Sequence, residues 1–119
     1  MAQETIHKFK DLLEVEKKSL IHAMSALGVK NIETGEWEAV PDMSDGEETD
    51  ANDLADRSED FEERTATLAT LDDRLREVDH ALAKVTAGTY GVCDISGEEI
   101  EEERLMANPA ATTCIAHME

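Results

Sequence analysis

The chain has 119 residues, of which 34% are charged and 3% aromatic, and it carries a formal net charge of −18. That length allows one domain with a small core, and the composition suits exposed helices better than a compact barrel. A field this negative repels phosphate backbones and anionic bilayers, so it excludes direct nucleic-acid binding and membrane adsorption and favours a basic protein partner over a merely solvating surface.

The opening stretch, Met1 to Leu13, is polar and amphipathic and lacks the apolar core of a signal peptide. No later run is apolar for long enough to span a bilayer. Two cysteines without an export signal are expected as reduced thiols in a cytoplasm. Residues 3–28 read as a helix, with Ile6, Leu13, Leu20 and Leu27 recurring every seven positions and Phe9, Ala23 and Met24 on the same side. Gly28 is a natural stop, able to take the left-handed conformation that often ends helices.

Residues 29–52 lose the period. Asn31, Gly35, Pro41, Ser44 and Gly46 mark an acidic loop, with Trp37 and Val40 as its sizeable apolar anchors. Residues 31–65 hold fourteen Asp or Glu against Arg57 and Arg64. From Asp53 the heptad resumes as Leu54, Phe61, Leu68, Leu75 and Leu82, joined by Leu71, Val78 and Val85. A helix over 53–87 would be roughly 50 Å long at 1.5 Å per residue. Each stripe is too narrow to stand alone, so two of them joined by a loop predict an elongated antiparallel helical hairpin over 1–87. Arg57 and Arg64 interrupt the second stripe at its start, which makes the loop end the wetter one.

The last segment, 88–119, predicts a small α/β module. Tyr90 to Cys93 and Ile100 suggest a tiny hairpin around Ser96-Gly97, Glu101–Ala107 a short helix, and residues from Ala110 a second one carrying Cys114 and His117. Cys93-x2-Ser96 faces Cys114-x2-His117 across seventeen residues, the layout of two knuckles around one tetrahedral zinc. Cys93, Cys114 and His117 are competent ligands. Ser96 is not, because its hydroxyl stays protonated, so the fourth corner falls to Ser96, Asp94 or water. The alternative is a metal-free finger with buried thiols. A catalytic zinc would need a cleft that so short a module does not offer. His7, His22 and His80 have no partner at ligand spacing and read as surface residues. No Gly-rich phosphate loop, Ser/His/Asp set or nucleophile elbow is present, so the chain is expected not to be an enzyme.

Gly88-Thr-Tyr90-Gly-Val-Cys93, Ser96-Gly97-Glu98-Glu99-Ile100, Arg104-Leu105, Asn108-Pro109-Ala110 and Thr113-Cys114 resemble the C4-type finger of the DksA/TraR family of bacterial transcription regulators. Ser96 and His117 depart from its four-cysteine pattern. The resemblance implies a monomer that binds RNA polymerase, with a coiled-coil tip entering the secondary channel to modulate initiation. Counted back from the finger, the family's tip motif Asp-x2-Asp-x-Ala falls on Asp50, Asp53 and Ala55. Family members that respond to ppGpp place cations where this chain has Thr70, Glu77 and Met118, so no nucleotide cofactor is expected. A protein-interaction adaptor of the same fold, binding another basic protein, is the competing function.

Overall fold

The computed structural model describes residues 1–40 and 51–117, those at 51–57 and His117 by their backbone alone. The elements run α1 (Gln3–Leu27), β1 (Gly28–Lys30), β2 (Trp37–Ala39), α2 (Ala51–Ala87), α3 (Glu102–Ala107) and a single 3-10 turn (Ile115–His117). The chain is a helical hairpin with a small finger-like module. Its residues gather into two compact units, Met1–Ser19 with Arg74–Glu119, and Leu20–Asp73. Among the described residues no helix is long and apolar enough to cross a membrane.

In the first unit, Phe9 and Leu13 of α1 and Leu75, Val78 and Ala81 of α2 are buried. Phe9 meets the Tyr90 ring at 5.9 Å in a tilted arrangement. Two ion pairs fix the antiparallel register, Lys17 with Asp79 at 2.7 Å and Arg74 with Glu16. The heptad stripe holds at Leu75 and Val78 but drifts beyond them. Ala81 and Lys84 are buried while Leu82 and Val85 are only half-buried. The finger packs on a second face of α2 there, and no two-helix period anticipates that.

In the second unit, Leu20, Met24 and Leu68 are buried and Phe61 is 38% exposed. The stripe is wet toward the loop, where Arg64 binds Asp60 one turn away and donates to the Ala26 carbonyl. The loop expected over 29–52 instead opens with an antiparallel strand pair, Gly28 opposite Ala39 and Lys30 opposite Trp37. A tight connection makes this possible. The Asn31 side chain accepts from the Glu33 amide at 2.9 Å, and Gly35 takes a positive φ of 75°. The remainder of the predicted loop, residues 41–50, including Asp50, lies outside the described residues.

Gly28 ends α1 for a different reason from the one expected. It is not among the positive-φ residues. A Cβ placed on it would lie 2.2 Å from the Glu38 carbonyl oxygen and 3.0 Å from Leu68 Cδ2, so glycine is needed for close approach of the strand pair. Gly28→Ala is expected to destabilise the protein by about 1–3 kcal/mol through overpacking. Gly35→Ala, with open space around its Cβ position, is expected to cost only about 1 kcal/mol for its backbone conformation. Chemical denaturation of the two variants compares them, and equal losses would discount the close approach.

Candidate metal centre and finger

The finger starts from a helix stop. Gly88, at φ 79°, lets its own amide reach the Val85 carbonyl at 3.2 Å while the Thr89 amide reaches Lys84 at 2.8 Å. This is the paired C-terminal bonding that a left-handed glycine permits. Gly91 and Gly97, at φ 83° and 73°, then turn the chain twice within a few residues. The expected hairpin is reduced to one bridge, Val92 opposite Glu99, because the knuckle takes up the backbone groups between. The Cys93 amide donates to the Glu98 carbonyl at 2.7 Å, and the Gly97 amide to the Cys93 carbonyl at 2.9 Å.

Cys93 and Cys114 are 2% and 5% exposed, and neither forms a disulfide. Ser96 stands between them. Its amide donates to Cys93 Sγ at 3.5 Å, and its hydroxyl lies 4.0 Å from Cys114 Sγ. Burial raises the Cys93 pKa, but hydrogen bonds from the Ser96 hydroxyl and from the amides of Ser96, Cys114 and Ile95 outweigh it and bring the thiol down to about 6. A thiolate held by amide donors is the soft donor that zinc prefers. The two cysteines therefore fit that metal, with Ser96 contributing as a hydrogen-bond donor.

The expected second helix is absent. Cys114 precedes the 3-10 turn and His117 lies in it, so the two do not share one helical face. Pro109 has no amide to donate, and Asn108 organises the approach by accepting from the Ala110 amide at 3.1 Å. The described residues contain no group of three side chains placed to hold a metal, and the His117 side chain lies outside them. Asp94, a sequence alternative for the fourth corner, is engaged elsewhere. It accepts from Lys84 and lies 2.9 Å from His80 Nε2, and these bonds, that from Lys84 foremost, hold its carboxyl below the usual range.

Sequence reasoning missed the polar contacts that seat the finger on the helices of its unit and those that brace it internally. Lys84, 7% exposed, donates to the Val92 carbonyl as well as to Asp94. Arg74 binds Glu16 through two nitrogens and uses a third to reach Asn108 Oδ1 at 2.9 Å. Tyr90 donates to the Pro109 carbonyl at 2.8 Å, and burial lifts its phenol to about 12. Arg104 donates to the Thr113 carbonyl at 2.6 Å. His80, read from sequence as a plain surface residue, is a partner of Asp94. Only a model of how the finger folds back could have revealed these pairs.

Of the other sequence candidates, Asp53 and Ala55 lie near the start of α2, in the Leu20–Asp73 unit, and their side chains are outside the described residues. Thr70 is exposed and donates to the Ala66 carbonyl at 3.2 Å, while Glu77 accepts from Arg74 at 3.1 Å. Met118 is outside the described residues.

The thiol chemistry is testable in the metal-free protein. Ultraviolet thiolate absorbance of Cys93 is expected to rise with a midpoint near pH 6. Ser96→Ala, which removes the hydroxyl donor, should move that midpoint upward. A folded value below the unfolded one stabilises the fold at pH values above the ordinary thiol range, and that contribution is lost as pH falls through about 6. An unmoved midpoint in the variant would remove the Ser96 hydroxyl from the thiolate's support. Ser96→Cys should slow zinc loss to a chelator, because a third thiolate joins the knuckle pair.

Comparison with known proteins agrees with this local architecture. Residues 88–116 match the family model for the prokaryotic dksA/traR C4-type zinc finger. An uncharacterized protein of Aquifex aeolicus is 35% identical over 96% of this chain and 74% of its own length. The RNA polymerase-binding transcription factor DksA of Caulobacter vibrioides is 39% identical over 56% of this chain, a match that spans about half (49%) of that protein. The solved structure of transcription factor DksA2 from Pseudomonas aeruginosa superposes with a TM-score of 0.75 at 29% identity, covering 98% of this chain and 81% of that one.

Proposed function

We propose, from the premise that this chain belongs to the DksA/TraR family, that it is a transcription regulator that binds RNA polymerase and alters initiation without catalysing a reaction itself. The observation that carries this reading is the structural likeness to DksA2, which extends over nearly the whole chain rather than the finger alone. The family's mode of action supplies the finer reading. The hairpin enters the secondary channel, and the acidic tip, with Asp50, Asp53 and Ala55, works close to the catalytic centre.

The chain's charge supports that reading. An acidic probe is drawn into a basic, metal-bearing channel and is kept off nucleic acid by the same field. In the finger, zinc would be held by Cys93 and Cys114, with His117 as the third donor by its spacing. When bound it supplies a cross-link between the two knuckles. Arg74 and Lys84 hold the finger against its helices, and Tyr90 braces it internally through Pro109, by bonds that need no metal. Seating of the finger is therefore expected to survive chelation better than in a module closed by metal alone.

Binding to purified core polymerase is the direct test. Association is expected at low salt and should weaken as ionic strength rises, because screening shortens the reach of the acidic surface. No association at low salt would overturn the polymerase reading and favour an adaptor for another basic protein.

A further inference from the structure

The strand pair after α1 carries a feature that the finger and the tip do not use. A groove of about 490 Å³ opens in the Leu20–Asp73 unit between β2 and α2. Trp37 and Ala39 line it from the strand and Phe61, Leu68 and Ala69 from the helix. No residue of β1 takes part, so the groove runs along the outer side of β2. Its charged lining residues, Glu38 and Asp72, are both acids.

Among the described residues that outer side is also an unpaired edge of the sheet. Among the described residues the sheet has two strands, β1 and β2. The Val40 amide bonds the Leu27 carbonyl, the Asn31 amide bonds Glu36, and Val29 stands opposite Glu38 midway between them. Bonded and non-bonded pairs alternate in an antiparallel ladder. The backbone groups of Trp37 and Ala39 therefore point outward, away from β1. An edge of this kind is a template for one more strand.

We propose that β2 and α2 form a docking seat for an extended segment of a basic partner protein, which adds to the β2 edge as a third strand. Side chains alternate between the two faces of a strand. On the added strand, one set would follow Trp37 and Ala39 toward Phe61 and Leu68 and must be apolar. The other set would lie beside the exposed Glu38 and is best basic. The seat thus selects a segment that alternates apolar and basic residues. A second copy of this chain is a poor occupant, because each copy carries −18 and no such segment occurs in its sequence. The proposal does not depend on the polymerase reading, and its test uses no polymerase.

Trp37 is the only tryptophan, so its fluorescence reports on the seat itself. The probe is a synthetic peptide of about ten residues alternating valine and lysine, long enough for one strand. Saturable change of Trp37 emission is expected at low salt. A valine–glutamate peptide should bind at least about tenfold more weakly, and Glu38→Lys should narrow or invert that preference. N-methylation along one edge of the lysine peptide removes its ladder donors and should cost at least about tenfold in affinity. Phe61→Ser, at a half-open position that leaves the fold intact by circular dichroism, should weaken binding similarly. The proposal is overturned if Trp37 does not respond, if the N-methylated peptide binds as well as the parent, or if both peptide charges bind alike. Sedimentation showing a dimer that Glu38→Lys or Phe61→Ser dissociates would give the seat to a second copy, and would equally overturn it.

Discussion

Asp94→Ala is expected to lower the free energy of unfolding by about 2 kcal/mol, although Asp94 lies on the surface of the finger. The loss comes from its partner. Lys84 is 7% exposed, and its ammonium is held by Asp94 and by the Val92 carbonyl. Removing one member of a fully buried pair costs about 3–5 kcal/mol, because the other charge stays behind unpaired. Asp94 is 41% exposed, so water reaching the vacated position screens part of that loss. Lys84→Met keeps most of the buried stem and removes the charge, so it should cost only about 1 kcal/mol for the Val92 carbonyl left without its donor. The double variant should then be more stable than Asp94→Ala alone, and that sign is the decisive result of the cycle. A double variant as unstable as the sum of the two would mean that the buried ammonium is not what makes Asp94 matter. The depressed Asp94 carboxyl adds stability above the ordinary carboxylate range, and this is lost as pH falls below about 4. Asp94→Asn should flatten the acid limb of the stability curve accordingly.

The two long helices were legible in the sequence because their cores repeat. Phe9, Leu13, Leu20 and Met24 on one helix, and Leu68, Leu75 and Val78 on the other, fall at helical spacing and are buried. Cys93 and Cys114 stood out in the sequence for a chemical reason, because paired short spacings are uncommon outside metal sites, and both are buried beside Ser96. The strand pair was not, because Gly28–Lys30 and Trp37–Ala39 are three residues each, too short for any alternation to register. His80 was misread, and Lys84 passed over, for a related reason. Their positions are polar in the two-helix period, and only the finger folding onto α2 gives Lys84 a burial and both residues a partner in Asp94. The Arg74–Asn108 bond likewise spans thirty-four positions with no local pattern. Sequence periodicity describes one packing face at a time, and this chain places its finger on a second.

Two substitutions should separate binding from effect. Asp53→Asn removes one charge near the start of α2 and leaves the residues of the buried stripe and of the knuckles unchanged. Binding to polymerase is expected to change by no more than about threefold, the size of a single rim charge in an interface of this kind. The effect on transcription from sensitive promoters should fall nearly to zero, since a carboxylate held near the active centre is what acts in the family reading. Leu75→Asp works by a different route. Leu75 is 8% exposed in the seam between the helices of its unit. A carboxylate there has no partner, and its burial should cost about 3–5 kcal/mol, a large share of a domain stability of about 5–15 kcal/mol. Binding and effect should therefore disappear together, with a lowered melting temperature to show why. In vitro transcription and polymerase binding, measured on both variants with and without ppGpp, read all of these outcomes. Added ppGpp should not strengthen the wild-type effect through this chain, because on the family reading Thr70 and Glu77 fall at positions that call for cations. If Asp53→Asn keeps the full wild-type effect, the tip assignment fails while the family and the fold stand. If it loses binding as well, the acidic segment acts as the docking surface itself, because only a residue that anchors the complex can remove affinity without unfolding the chain.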